Sequence, residues 1–229
     1  YDAILGLKPE EKDAYFLRGS AELELGDYES AKADFDKAIS MDPKNYDRLI
    51  EIYEALADYG YREVGQEYLQ NVLNTDKKLD AYDSGRIYYY LGDYQKAYLA
   101  LEEAKGKGGV DSYLYLGKAY AATGDYNYAS SVYSNYLSKQ GPDAEIYNQL
   151  GLCELAKKDY QKALEAFQAG KQIEGNSLMQ TLSFNEIVAY EYLQDYQKAA
   201  VLLKAYLQNY PDDPVSYTHL RAHETDQYL

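Results

Sequence analysis

The sequence predicts an all-α fold built from stacked helix-turn-helix repeats. An Asp-Tyr pair recurs five times, between two stretches whose apolar residues recur every three to four positions, as in amphipathic helices. The pairs are Asp27-Tyr28, Asp93-Tyr94, Asp125-Tyr126, Asp159-Tyr160 and Asp195-Tyr196. The last three steps are 32, 34 and 36 residues, which is the period of a two-helix repeat. The first step, of 66 residues, leaves room for one further copy, centred on Gly60-Tyr61.

The first repeat shows how each copy is expected to fold. Ala14 to Leu25 is periodic and predicts one helix, which Gly26 can end in a left-handed conformation. Asp27 is expected to accept hydrogen bonds from the free amides that begin the next helix. That helix is predicted over Tyr28 to Met41 and ends at Asp42-Pro43. The tyrosines that begin second helices are expected to lie mainly in the core, while exposed tyrosines could add binding contacts.

Small residues recur in register, where two helices can cross closely. Three residues after the Tyr of each Asp-Tyr pair stands Ala31, Ala97, Ala129, Ala163 or Ala199, and Gly65 fills the equivalent place in the further copy. Four residues later comes a larger apolar residue: Phe35, Leu69, Leu101, Tyr133, Phe167 or Leu203. A second small position holds Gly19, Gly85, Gly117 and Gly151, and Tyr53 and Ile187 break this second pattern.

The segment from Ala14 through Gly19, Gly26-Asp27-Tyr28, Ala31, Phe35, Ala38 and Pro43 resembles the tetratricopeptide repeat family, as does Tyr113 to Tyr133. The resemblance covers about residues 1–214 and implies a right-handed α-α superhelix. The expected array is a half repeat at 1–9 and six repeats at about 10–43, 44–77, 78–109, 110–142, 143–177 and 178–214. The second repeat departs most from the pattern, and the sixth has an extended lead-in from Gly170 to Leu182.

Residues 215–229 do not continue this pattern, because Arg221 stands where a small residue is expected. The segment from Val215 to Thr225 resembles a translated sequencing adapter, so we interpret 215–229 as a non-native tail. The alternative is a divergent terminal repeat. The sequence also begins at Tyr1 rather than Met, which suggests a fragment of a longer protein.

Composition argues against several classes of function. The formal net charge is −15, and −14 without the tail, so binding to nucleic-acid phosphates is not expected. No stretch approaches the roughly 18 apolar residues of a membrane span, so we expect no direct membrane insertion by this chain. The compartment is left open, between a cytoplasmic module and an anchored extracytoplasmic one.

The sequence offers little for catalysis or metal binding, and we predict no enzyme activity, no cofactor and no metal. Both histidines, His219 and His223, lie in the tail, so residues 1–214 lack the usual neutral-pH base. The single cysteine, Cys153, is expected to be a buried filler rather than a reactive thiol.

The resemblance implies a binding groove lined by the first helix of each repeat. In that family the groove residues stand three before, one after and four after the first small position, which places them on one helix face. The groove residues expected here are Phe16, Ser20, Ile50, Glu54, Tyr82, Arg86, Tyr89, Leu114, Lys118, Asn148, Leu152, Phe184 and Val188. Phe16 and Ser20 replace the first Lys and Asn of the family's carboxylate clamp, which disfavours binding of a chaperone tail.

We therefore predict an acidic, tyrosine-rich interaction scaffold whose partner is a protein or peptide. The groove would hold an apolar or helical segment, with Arg86 and Lys118 available for a partner carboxylate. The alternative is a regulatory or targeting module of a larger enzyme or membrane-anchored protein, truncated upstream. A groove that contacts only another domain of the same protein is also possible.

Overall fold

A computed structural model describes residues 1–104 and 107–213, so the predicted tail at 215–229 lies outside the described residues. Within these ranges all regular secondary structure is helical, without strands. The helices are α1 Asp2–Leu7, α2 Lys12–Glu24, α3 Tyr28–Met41, α4 Tyr46–Asp58, α5 Arg62–Thr75, α6 Ala81–Tyr90, α7 Tyr94–Ala104, α8 Gly109–Ala122, α9 Tyr126–Gln140, α10 Ala144–Ala156, α11 Tyr160–Lys171, α12 Met179–Tyr192 and α13 Tyr196–Asn209. The all-α prediction is confirmed. The predicted repeat boundaries stay a prediction.

The chain divides into two compact units, which are treated separately below. Unit 1 covers residues 1–103 and contains α1 to α7, apart from the last residue of α7. Unit 2 begins at residue 104 and contains α8 to α13. In each unit consecutive helices pair as hairpins: α2 with α3 and α4 with α5 in unit 1, and α8 with α9, α10 with α11 and α12 with α13 in unit 2.

The turn inside a hairpin follows the predicted chemistry. Gly26 has a φ of 79°, a left-handed conformation that costs glycine little, and it ends α2. The carboxylate of Asp27 then accepts a hydrogen bond from the backbone N–H of Ser30, at 3.2 Å, and begins α3. Asp125, Asp159 and Asp195 cap α9, α11 and α13 in the same way. A left-handed residue followed by an aspartate therefore sets where one helix stops and the next starts, with Lys158 and Gln194 in the place of glycine before Asp159 and Asp195.

The hairpins interlock through a glycine on the first helix and a large side chain on the second. A Cβ placed on Gly19 would lie 2.8 Å from the Phe35 ring, and one on Gly85 would lie 2.5 Å from Leu101. At Gly117 the same atom would lie 2.2 Å from Tyr133. The large partners of these glycines are fully buried. Glycine is thus required at these crossings because the large side chain of the second helix occupies the space that a Cβ atom on the first helix would need.

The second hairpin of unit 1 departs from this arrangement. Its first helix, α4, carries the large residue Tyr53 where α2, α6, α8 and α10 have glycine, and its second helix, α5, carries Gly65 where the other second helices have alanine. A Cβ on Gly65 would lie 2.9 Å from the Tyr53 ring and 3.2 Å from the Tyr53 backbone. Tyr53 packs with the fully buried Leu69. The second repeat therefore departs from the sequence pattern because a large residue on α4 faces a glycine on α5, and we call this the size exchange.

The tyrosines that begin second helices are less buried than expected. Tyr28 is half-buried and stacks on Tyr61, with ring centroids 4.1 Å apart. Tyr160 likewise stacks on Tyr192 at 4.9 Å, and Tyr196 is 55% exposed. The expectation of mainly core positions holds only in part: Tyr28 and Tyr126 pack against buried clusters, whereas Tyr196 is largely exposed because it lies at a hairpin turn.

The first helices of the hairpins are neighbours within each unit. In unit 1, α2 contacts α4, and α4 contacts α6. In unit 2, α8 contacts α10, and a hydrogen bond from Asn185 to Asn148 joins α12 to α10. The glycine crossings fix one side of these helices against the second helices. The predicted groove positions lie on an adjacent face of the same helices, within about 100° of the glycine position, because each residue turns an α-helix by about 100°.

Candidate functional site

The predicted groove positions all fall on first helices: on α2, α4 and α6 in unit 1, and on α8, α10 and α12 in unit 2. Three of them are buried, namely Ile50, Arg86 and Asn148. The half-buried positions are Phe16, Ser20, Tyr82, Tyr89, Leu114, Lys118, Phe184 and Val188. Glu54 and Leu152 are exposed. Each unit therefore carries a mixed apolar, aromatic and polar face on its first helices.

At the start of unit 1, the ring of Phe16 is covered by a cation of its own chain. The guanidinium of Arg48 lies 4.1 Å from the ring centroid, within the range of a cation–π contact. Arg48 is held there by an ion pair with Asp13, 2.8 Å long. The hydroxyl of Ser20 donates to the carbonyl of Phe16 at 3.0 Å. Arg48 therefore covers Phe16, and Ser20 is tied to its own helix.

Arg86 was expected to be available for a partner carboxylate, and the structure contradicts this. Its guanidinium pairs with Asp47 at 2.5 Å and with Asp83 at 2.7 Å. It also lies 4.4 Å from the centroid of the Tyr82 ring. Burial raises the pKa of Asp83, and the hydrogen bond from Arg86 acts in the opposite direction. Two carboxylates of the chain thus already occupy Arg86, which links α4 to α6.

A hollow of about 410 Å³ opens in unit 1 where α4, α6 and the start of α7 come together. We call it the tyrosine hollow, and its lining residues are Tyr53, Glu54, Ala57, Asp58, Arg62, Tyr89, Tyr90 and Tyr94. Two predicted groove residues, Glu54 and Tyr89, therefore line one concave feature. The predicted groove residues Phe16, Ser20, Ile50, Tyr82 and Arg86 are not part of its lining.

The rings of the tyrosine hollow are fixed by contacts with one another. Tyr89 meets Tyr90 edge to face with centroids 5.5 Å apart, and Tyr94 lies 5.7 Å from Tyr89. Tyr53 and Tyr90 form another edge-to-face pair at 5.3 Å. The Tyr90 hydroxyl donates to a carboxylate oxygen of Glu54 at 2.6 Å, which ties α6 to α4. This geometry gives a preformed aromatic wall beside a carboxylate.

Sequence reasoning missed five polar or aromatic members of this hollow: Tyr53, Asp58, Arg62, Tyr90 and Tyr94. Tyr53 and Tyr90 were missed because the family spacing picks one face per helix, and both stand next to a groove position in the chain. The run Tyr88-Tyr89-Tyr90, followed by Tyr94, was the available signal. Three consecutive residues on a helix point in different directions, so at least one of them had to leave the core.

In unit 2 the predicted positions are more dispersed. The Lys118 ammonium lies 3.5 Å from a carboxylate oxygen of Glu145 on the next hairpin, so it is only loosely paired. Asn148 is buried and accepts a hydrogen bond from Asn185 at 2.8 Å. Leu152 is 39% exposed, whereas Phe184 packs near Tyr206, with ring centroids 5.7 Å apart. Of these residues, Leu152 offers the largest apolar exposure.

The cysteine and two buried carboxylates of unit 2 have structural surroundings. Cys153 is buried, and burial raises the pKa of its thiol to about 12. The buried carboxylates Glu154 and Glu186 pair with Lys157 and Lys171, at 2.8 and 2.6 Å. Within residues 1–104 and 107–213, no group of His, Cys, Asp and Glu has the arrangement of a metal site. Over the same residues, no helix combines the length and apolarity that crossing a membrane requires.

Comparison with known proteins assigns the repeat. Sequence profiles described as tetratricopeptide repeat match residues 12–45, 114–177 and 184–213, together more than half of the chain. The chain belongs to the tetratricopeptide repeat family. Repeats of this class are in general non-enzymatic modules for protein interaction, which supports a protein-interaction scaffold with protein or peptide partners. No curated protein sequence matches the chain.

Solved structures resemble the chain in fold. Yeast Tom70 is 17% identical with a TM-score of 0.70, over 99% of this chain and 50% of Tom70. PilW, a type IV pilus biogenesis factor, is 16% identical with a TM-score of 0.67, over 91% of this chain and 98% of PilW. YrrB, described as having an unusual peptide-binding site, is 20% identical with a TM-score of 0.54, over 82% of this chain and 97% of YrrB. These likenesses confirm the predicted α-α superhelix class.

Proposed function

We propose that this chain is a scaffold that binds an apolar or helical segment of a partner protein on the face formed by the first helices of its hairpins. The observation that carries the proposal is the partial exposure of apolar and aromatic side chains on that face. Leu152 is 39% exposed in unit 2, and Tyr89 lines a hollow in unit 1. Apolar surface left in water favours a partner that covers it, by about 25 cal/mol per Å² before ordering costs.

The polar residues of the face favour the same kind of ligand. Arg48 and Arg86 are each held by carboxylates of the chain, so a partner carboxylate would have to displace an existing ion pair. A partner carboxylate that displaced such a pair would lose its own hydration, and the displaced carboxylate of the chain would be left unpaired. An apolar segment meets no such competition. The description of YrrB as a peptide binder is in line with this proposal.

The test uses the full chain, immobilised, to select binding peptides from a displayed random library. Each selected peptide is then titrated by fluorescence anisotropy against Leu152→Glu, Tyr89→Ala and two matched controls. Leu99→Glu places the same change on the second helix α7, where Leu99 is 60% exposed, and Tyr88→Ala removes the neighbouring ring. Circular dichroism verifies the helical content of every variant.

A peptide that uses the first-helix face should lose about tenfold or more in affinity with Leu152→Glu or Tyr89→Ala, since a buried apolar side chain contributes about 1.5–3 kcal/mol. The same peptide should bind both controls as it binds the parent chain. Peptides that respond only to Leu99→Glu or Tyr88→Ala would place the binding site on the other face and contradict the proposal.

A further inference from the structure

We propose that the tyrosine hollow binds the cationic side chain, lysine or arginine, of a partner segment. This inference rests on the proposed function, because it specifies the charge of the partner side chain that binds at one place on the first-helix face. The hollow joins two features that recognise cations together, namely several aromatic rings and two carboxylates that are not neutralised by an ion pair within the described residues.

The aromatic part of the site is preformed. Tyr89, Tyr90 and Tyr94 all line the hollow and lie within 5.7 Å of the next ring in the series, with mutual interplanar angles of 80° and 56°. A cation within about 6 Å of a tyrosine ring face is attracted by the negative face of its quadrupole. Contacts of this kind already occur among the described residues of unit 1, and the two shortest place Arg48 over Phe16 at 4.1 Å and Arg86 over Tyr82 at 4.4 Å.

The carboxylate part stands beside the rings. Glu54 is exposed, and one of its oxygens is fixed by the Tyr90 hydroxyl. Asp58 is exposed at the end of α4, and within the described residues it takes part in no ion pair or hydrogen bond. A carboxylate held by a neutral phenol keeps its full negative charge. Both groups therefore remain to attract a cation.

The opposing charge in the hollow is Arg62, at the start of α5. Its Nη1 donates to the hydroxyl of Tyr53 at 3.1 Å, and within the described residues its guanidinium pairs with neither Glu54 nor Asp58. The lining therefore carries two negative charges and one positive charge. Arg62 reduces the attraction of the hollow for a cation, which predicts that its removal strengthens binding.

An anion or a purely apolar side chain fits this site less well. An anion would face Glu54, Asp58 and the negative faces of the rings. An apolar side chain would gain from the rings but would desolvate the two carboxylates without pairing them, which costs free energy. Lysine and arginine satisfy both parts, because their apolar stems can lie along the rings while the charged head reaches the carboxylates.

The experiment uses the full chain with ¹³C-labelled tyrosine rings and four uncharged or singly charged probes. The probes are N-acetyl-arginine amide, N-acetyl-lysine amide and their neutral counterparts, N-acetyl-citrulline amide and N-acetyl-norleucine amide. NMR titration follows the ring signals of Tyr89, Tyr90 and Tyr94, which are assigned by single Tyr→Phe variants. Because Tyr53 is buried, it is left unchanged.

The expected result is a saturable shift of these signals with the arginine or lysine probe and none with citrulline or norleucine. Glu54→Gln and Asp58→Asn should weaken binding by about three- to tenfold, and Arg62→Gln should strengthen it. Glu63→Gln removes an exposed carboxylate from the adjacent helix α5 outside the hollow and should change binding little. The substituted charged residues are all exposed, and circular dichroism verifies the fold of every variant.

Equal binding of norleucine, a weakening by Arg62→Gln, or an absence of shifts with every probe would each overturn the inference. None of these results decides the proposed function, which depends on how the selected peptides respond to Leu152→Glu and Tyr89→Ala. Conversely, peptides that bind only the control face would contradict the proposed function, while a cation-specific shift in the tyrosine hollow would still stand.

Discussion

Gly117 offers a direct test of how the hairpins interlock, through the substitution Gly117→Ala. A Cβ at this position would lie 2.2 Å from Cζ, 2.3 Å from Cε1 and 2.6 Å from the hydroxyl of Tyr133. Ordinary contact begins near 3.4 Å, so the ring would have to move by about 1 Å. Tyr133 is fully buried and packs against Ala129 and Ile146, which leaves it no free space.

Two opposing effects set the magnitude. Alanine is favoured over glycine inside a helix by about 1 kcal/mol. Overpacking a core costs about 1–3 kcal/mol, and three overlapping atoms of a confined ring place this site in the upper part of that range. We therefore expect Gly117→Ala to lower the free energy of unfolding by about 1–2 kcal/mol.

The assay is urea unfolding followed by circular dichroism at 222 nm, a wavelength that reports helix. Tyr133→Leu removes the ring atoms that clash and leaves a cavity, so alone it should destabilise the fold by about 1–3 kcal/mol. The double variant should then be more stable than the sum of the two losses, because the new methyl enters vacated space. Gly6→Ala, where a Cβ meets nothing within 4 Å, is the control. A Gly117→Ala variant as stable as the parent chain would refute the assigned crossing.

Three further predictions follow from the packing and charges. Ala163 is fully buried, so Ala163→Trp should cost about 1–3 kcal/mol in urea unfolding, and an unchanged midpoint would contradict the register. Cys153, whose pKa is raised to about 12, should resist a disulfide reagent at pH 8 and react only after denaturation. An unfolded thiol has a pKa of about 8.5, so above pH 8.5 the unfolded chain loses this proton before the folded chain does, and the free energy of unfolding should fall. Arg86→Ala should cost about 2–3 kcal/mol since it leaves Asp83 half-buried and unpaired, whereas Lys12→Ala, at a more exposed ion pair, should cost clearly less in the same assay.

Much of the fold could be predicted because its determinants are local. The start of α3 was predicted at Tyr28 and its end at Met41, and both agree with the structure, since a capping aspartate and an Asp-Pro pair act within a few residues. The start of α2 was placed two residues late, at Ala14 rather than Lys12, because no side chain caps that helix. The sequence showed that Tyr53 breaks the pattern of small residues, but only the structure showed that Tyr53 and Gly65 face each other where α4 crosses α5.

The candidate site was less accessible to sequence reasoning because it depends on contacts between hairpins. The free cation expected at Arg86 is paired with Asp47, a residue 39 positions away on the neighbouring first helix. The tyrosine hollow likewise combines a helix end, a helix start and a turn, which no single spacing rule brings together. The exposure of a side chain can be predicted from the pattern of its own helix. Whether a charge is paired depends on residues of neighbouring helices, which that pattern does not reveal.

The size exchange between Tyr53 and Gly65 limits how this array can be recombined. If duplication or protein engineering joined α4 to a second helix bearing Phe35 or Tyr133, two rings would compete for one position. The reciprocal hybrid would place a glycine opposite Gly65 and leave a void. Both halves of this hairpin must therefore be inherited together, and a chimaera of such repeats should be cut between hairpins rather than at the Gly60 turn.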